Sequence, residues 1–142
     1  MKNLGLELHT LMSRLEQAGD RIMRAEHGLS YRRFMVLVMV GELGASTQRA
    51  LADGLGVTEP SVSRMVGTLA DSGLLSVLPD PAGGNRRRIA LTDAGRDLVA
   101  RAGTDLVQRL TKFVESTGVP FETYFAHTQR LNAVLIDPTA TP

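Results

Sequence analysis

The chain has 142 residues, 43% hydrophobic and 22% charged, with a net charge of +1; that length suits one domain, or one core with appended helices, and that composition can bury a core. No apolar run approaches the ~18 residues of a membrane span, and no apolar leader marks a secretion signal, so a cytoplasmic protein without membrane association is expected. There is no cysteine, which excludes disulfides and thiolate metal sites. Aromatics are scarce and Trp is absent, so the core must be aliphatic.

Leu4, Leu8, Leu11, Leu15, Ala18 and Ile22 alternate steps of four and three, predicting an amphipathic helix with a seam near period 3.5. That stripe must pack on its own domain or on a second chain. Gly28 is a plausible stop, and Ser30 a plausible cap for the next element. From Phe34 to Val40 every residue is apolar. Periodicity cannot separate a buried strand from a buried helix there; β-branched content leans one way and length the other. A buried helix over Tyr31–Leu43 is the reading adopted.

Ser46 is expected to cap a short helix running through Gly54, with Ala50, Leu51 and Leu55 inward. Gly54-Leu55-Gly56-Val57 is the turn. Thr58 then caps a second helix with Pro60 in its first turn, where the missing N–H costs little. That helix carries Val62, Met65, Val66 and Leu69 to about Ser72, and Gly73 ends it. Two short helices crossing about a glycine turn make a helix-turn-helix. Leu74–Leu78 reads as a strand, Pro79–Asn85 as a turn, and Arg88–Leu91 as a return strand. A hairpin directly after the second helix is a wing. Thr92 caps a long helix whose stripe is Leu98, Ala102, Leu106, Leu110 and Phe113, ending near Ser116. Gly118-Val119-Pro120 breaks the chain, a last helix spans about Phe121–Ile136, and a short Pro/Thr tail begins at Asp137.

The fold class is therefore mainly α with a small β-hairpin wing: a winged helix-turn-helix with N- and C-terminal dimerisation helices. We expect one domain over 1–142, with the winged helix at about 30–96 and dimerisation helices at about 1–27 and 97–136.

A near-neutral charge does not by itself point to nucleic acid, but the distribution of cations does. Fourteen of the 16 basic residues are Arg, whose planar fork suits phosphate and guanine. Thr58, Glu59, Ser61, Ser63 and Arg64 form a polar cluster at the start of the second helix, opposite the apolar face. In a major groove the hydroxyls and Arg64 reach phosphate or base edges, while Glu59 accepts from cytosine or repels phosphate. Arg86, Arg87 and Arg88 follow a Gly-Gly-Asn tip, and a narrow minor groove attracts inserted Arg. Alternation sends at most two of the three to one side. Asp80 at the wing base is placed to pair with one of them.

With these residues assembled, the sequence resembles the MarR family of winged-helix transcriptional regulators. The likeness is carried by Thr47-Gln48-Arg49-Ala50-Leu51-Ala52 through Gly56-Val57-Thr58, Ser61-Val62-Ser63-Arg64, Gly73-Leu74-Leu75, Asp80-Pro81 and Leu91-Thr92-Asp93-Ala94-Gly95. The resemblance implies a homodimer clasped by N- and C-terminal helices that binds double-stranded DNA at pseudo-palindromic operators. The recognition helix (about 58–72) then enters the major groove and the wing (about 79–88) meets the minor groove. It also implies repression relieved by a small-molecule effector, with no cofactor. Two features depart from the family. Its wings carry an acid three residues after the first Asp and then an Arg pair; here those places hold Gly83, Gly84 and Asn85, and the arginines come afterwards. This leaves open which Arg enters the groove. Gly67 interrupts the recognition helix at a cost of about 1 kcal/mol relative to Ala, and is expected to mark close packing.

Enzymatic readings fail on the residues present. Gly54-Leu55-Gly56-Val57-Thr58-Glu59 lacks the third glycine and the preceding long strand of a dinucleotide fingerprint. The only lysines are Lys2 and Lys112, so there is no phosphate loop with Lys. His9, His27 and His127 show no metal-ligand spacing, although Glu26-His27 with a further His is a weak regulatory metal candidate. Met12, Tyr31, Phe34, Met35 and Met39 are candidates to line an adaptable ligand pocket. The alternative to DNA readout is a winged-helix dimer serving as a protein-interaction module, favoured by near-neutral charge and Glu59.

Overall fold

The structure is a computed structural model that describes residues 1–44, 47–84 and 87–136. Six helices and one antiparallel hairpin are arranged in the order α1 (Leu4–His27), α2 (Tyr31–Leu43), α3 (Gln48–Leu55), α4 (Glu59–Asp71), β1 (Leu75–Pro79), β2 (Arg87–Leu91), α5 (Asp93–Ser116) and α6 (Phe121–Leu135). The chain forms two compact units, Met1–Thr104 and Asp105–Pro142.

In the first unit α2 is the hub, packing against α1, α3, α4 and β2. This explains why its sequence shows no helical periodicity. Phe34, Val36, Leu37 and Val40 are buried, and neighbours on several sides leave little room for a polar face. Capping fixes its start: Ser30 Oγ accepts the Arg33 amide at 3.2 Å.

In helix α1 the expected seam is not covered by its own chain. Its buried residues are Gly19 and Met23, whereas Leu4 is 67% and Leu8 42% exposed. Leu11, Leu15, Ala18 and Ile22 are not buried with them. The later turns of α1 approach α2 closely: a Cβ on Gly19 would lie 2.8 Å from the Tyr31 ring.

The helix-turn-helix is formed by α3 and α4. The N-cap of α3 is Thr47, whose side chain accepts the Ala50 amide at 3.2 Å; the expected cap, Ser46, lies outside the described residues. Leu51 and Ala52 are buried and Ala50 is exposed, correcting its inward assignment. The reason is phase: 51, 52 and 55 share one stripe, and 50 falls beside it. Gly56 makes the turn at φ 65°, a left-handed conformation that a side chain would strain. Val62, Val66 and Leu69 of α4 close the core from the other side, with Met65 half-buried.

The hairpin pairs Leu75 with Leu91, Val77 with Ile89 and Pro79 with Arg87. Each strand thus starts one residue from its expected start, and Pro79, expected in the turn, pairs with Arg87, which extends the return strand. Within the second unit α5 runs on to Ser116 and α6 starts after Pro120. No residue of α6 is buried, and its Phe121 and Phe125 rings stack 6.0 Å apart.

Candidate nucleic-acid interface

Local chemistry sets the outward face of α4. Thr58 Oγ1 accepts the Ser61 amide at 3.3 Å, so this threonine caps the helix and keeps its hydroxyl proton for another acceptor. Glu59 lies in the first turn and is fully outside the core. There a carboxylate offsets the positive end of the helix dipole, a role that explains an acid in an otherwise cationic setting. Ser63 and Arg64 are exposed, and the Arg64 guanidinium donates to Ser61 Oγ at 3.3 Å. The structure thus brings Thr58, Glu59, Ser61, Ser63 and Arg64 onto one end of one helix, with Val62 and Val66 pointing away into the core.

Gly67 sits in the middle of this outward face. A Cβ built on it meets no atom within 4 Å, so the expected close packing is absent. Its effect is to lower the helix surface one turn beyond Ser63 and leave space above the backbone.

Strand alternation puts Arg87 on the face of buried Ile89 and Arg88 on the opposite face with Ala90. Both arginines are exposed. Arg86 and Asn85 lie outside the described residues. The turn is held by Asp80, whose carboxylate accepts the Ala82 amide at 3.0 Å while its carbonyl accepts the Gly83 amide. Gly83 and Gly84 come next with φ 90° and 78°. Among the described residues Asp80 thus serves the turn's backbone, and no ion pair joins it to Arg87 or Arg88.

The wing is fastened to both neighbouring helices. Thr92 Oγ1 donates to the Gly73 carbonyl at 2.6 Å and accepts the Gly95 amide at 3.1 Å, while the Thr92 amide donates to the Leu74 carbonyl. Arg96 donates to the Leu91 carbonyl at 3.0 Å and pairs with Asp93. Gly95 is required by proximity, since a Cβ there would lie 2.1 Å from the Leu74 oxygen. This junction fixes the angle between α4 and the hairpin.

Two arginines outside the sequence-predicted set belong to the same surface. Arg32 and Arg33, in the first turn of α2, line a cleft of about 680 Å³ together with Ser61, Ser63, Arg64, Met65, Gly67, Thr68 and Asp71. The signal was there: two cations just after a Ser cap, where acids are preferred.

A second cavity of about 470 Å³ lies between α1, α2 and the end of α3. Met12, Tyr31 and Met35 line it as expected, but Phe34 is in the core and Met39 packs beneath Gly54. Gly54 and Leu55 line it at the end of α3, and Ser13, Glu16, Gln17, Asp20 and Arg32 add a polar side. Asp20 accepts from Arg24 at 2.7 Å and from the Tyr31 amide at 3.0 Å, and these bonds hold its carboxyl below the usual range. Burial, helped by the Glu16 charge, raises the Tyr31 phenol. Among the described residues no three His, Cys, Asp or Glu group to hold a metal. No helix among them is long and apolar enough to cross a membrane.

Comparison with known proteins agrees with this geometry. The model of the MarR family matches residues 27–85. An uncharacterised HTH-type transcriptional regulator of Mycobacterium bovis is 31% identical over 74 residues, covering 52% of this chain and 52% of that protein, so the match spans about half of each. Among solved structures, a MarR-family transcriptional regulator from Rhodococcus sp. RHA1 superposes with a TM-score of 0.79 at 24% identity, over 99% of this chain and 100% of that one. NadR in complex with 4-hydroxyphenylacetate gives 0.79 at 17% identity, over 94% and 93%. At these identities the structural likeness establishes the fold. The helix-turn-helix and wing of this chain thus share the winged-helix fold of these structures, and the likeness to the MarR family covers residues 27–85.

Proposed function

We propose that this protein is a dimeric, sequence-specific DNA-binding transcriptional regulator, a ligand-responsive repressor of the MarR type. The observation that carries the reading is the two-sidedness of α4. Its inner face is closed by buried Val62, Val66 and Leu69, while its outer face collects Ser63, Arg64 and the open backbone at Gly67 beside an Arg-bearing hairpin. A helix of this kind fits a major groove, with hydroxyls and Arg64 serving phosphates and base edges. Arg87 and Arg88, on opposite faces of the wing strand, provide one side chain for a minor groove and one for its bordering phosphates.

Dimerisation is supported by apolar surface. Leu4, Leu6 and Leu8 of α1 are exposed, as are Phe113 of α5 and Leu131, Val134 and Leu135 of α6. Exposed apolar surface on this scale marks an association site, and a two-fold pair would present two α4 helices to half-sites one DNA turn apart. The cavity between α1, α2 and α3 is the place for an effector, as NadR holds 4-hydroxyphenylacetate in a like fold. The alternative, a protein-interaction module without DNA readout, loses one support because Glu59 has a local role at the start of α4.

The test is a gel shift with the duplex upstream of the protein's own gene. A shift by the native protein that Arg64→Ala and Arg87→Ala each weaken supports the proposal. A shift indifferent to both substitutions removes this surface from DNA contact.

A further inference from the structure

We infer that Arg32 and Arg33 of α2 form a phosphate clamp that grips the DNA strand bordering the groove entered by α4, an inference that rests on the DNA-binding reading above. Three observations converge on it. First, these two arginines line one cleft with Arg64, Ser61 and Ser63, so cationic residues from two helices border a common space of about 680 Å³. Arg with flanking hydroxyls is the side-chain set that holds phosphate oxygens.

Second, the pair is electrostatically misplaced for folding alone. The first turn of α2 contains no acidic residue, and both arginines stand at the positive end of its dipole. Glu16 and Asp20 reach this end from α1 along the cavity that Arg32 also lines. Among the described residues neither forms an ion pair with an arginine of α2, and the Asp20 carboxylate is engaged by the Tyr31 amide and by Arg24. Neither Arg32 nor Arg33 has a side-chain hydrogen bond or ion pair among the described residues. An external anion would supply the missing compensation.

Third, the cleft is open where a polynucleotide must come close. Gly67 forms part of its lining with nothing within 4 Å of its would-be Cβ. The lone carboxylate of the lining, Asp71, lies at the far end of α4 from Ser61 and Ser63. The clamp contacts backbone and not base edges, so it adds affinity without sequence choice.

The experiment uses the full chain. A duplex is selected by the native protein from a random library, and binding is measured by fluorescence anisotropy across a salt series. Variants are Arg32→Gln with Arg33→Gln, Arg32→Lys with Arg33→Lys, and Arg64→Ala as the reference for groove reading. The glutamine pair is expected to weaken binding on the order of tenfold or more. It should also flatten the log K against log salt slope by roughly 2–4 per dimer, at about 0.9 per lost phosphate contact. The loss should be the same for the selected duplex and for its single-base variants, and the lysine pair should retain the slope. Thermal melts monitor folding; if the glutamine pair fails to fold, Arg32→Gln alone should give about half the slope change. Native-like affinity and slope in a folded glutamine variant overturn the clamp while the DNA-binding reading stands. A loss confined to one base position overturns it equally, because the arginines would then be reading bases. If the native protein selects no duplex, the DNA-binding reading itself falls, and the clamp with it.

Discussion

Helices α2 and α6 are of similar length and both rich in large apolar residues, yet four residues of α2 are buried and none of α6 is. In the first unit apolar side chains find one another. Met23, Phe34, Leu37, Leu51, Val62, Leu69 and Ile89 come from α1, α2, α3, α4 and β2 and are almost completely hidden. In the second unit Phe125, Leu131, Val134 and Leu135 remain on the surface. Burial contributes about 25 cal/mol per Å² of apolar surface, so the first unit obtains its stability from its own chain. The second leaves that apolar surface uncovered, which is what the proposed dimer would bury. The difference is one of labour: a first unit that closes its own core, and end helices whose apolar faces, in the proposed dimer, meet a second copy.

The contrast can be broken most forcefully at Leu51, which is fully buried in the helix-turn-helix. Leu51→Ala should lower unfolding stability by about 2–5 kcal/mol, read from chemical denaturation. Leu131→Ala, at a side chain 59% exposed, should change the unfolding of the dilute protein by only about 0.5 kcal/mol or less and instead weaken self-association in sedimentation. Unchanged association would place the apolar face of α6 outside the interface.

A smaller effect is expected at the wing junction. Gly95→Ala forces a methyl against the Leu74 carbonyl, which should cost about 1–3 kcal/mol, as overpacking does. Because Thr92 ties that carbonyl's neighbourhood to α5, the same variant should weaken DNA binding beyond what its stability loss explains. A neutral Gly95→Ala would mean that the junction is slack.

The smallest effect concerns Asp20. Its carboxyl is held below the ordinary value of 3.8 by Arg24 and then by the Tyr31 amide. A lowered folded pKa means that the charged form is favoured in the native state. The contribution is therefore present above about pH 3.8 and lost as the pH falls through the lowered folded value. An NMR titration of the Asp20 carboxyl carbon should show a midpoint under 3.8; a midpoint at or above it would detach Asp20 from the start of α2.

Much of the helix-turn-helix and wing was legible in the sequence because local chemistry dictates it. Thr58 and Pro60 mark the start of α4, the glycines mark the turns, and the alternation Arg88-Ile89-Ala90-Leu91 marks the return strand. The illegible parts depended on tertiary placement. The seam of α1 is a true periodicity, but periodicity does not say whether the same chain covers it, and Leu4 and Leu8 are exposed. Gly67 suggests a close approach, yet only the packing shows open space above it. Arg32 and Arg33 are distant in sequence from Ser61 and Arg64, and only the packing of α2 on α4 puts them in one cleft.

The central claim is that two copies present their α4 faces together to one duplex. Hydroxyl-radical footprinting of the native protein on a duplex it selects tests this most directly. The account predicts two equivalent protected patches about 10–10.5 base pairs apart, centre to centre, both lost in Arg64→Ala. A single patch, or protection that survives Arg64→Ala intact, would contradict it.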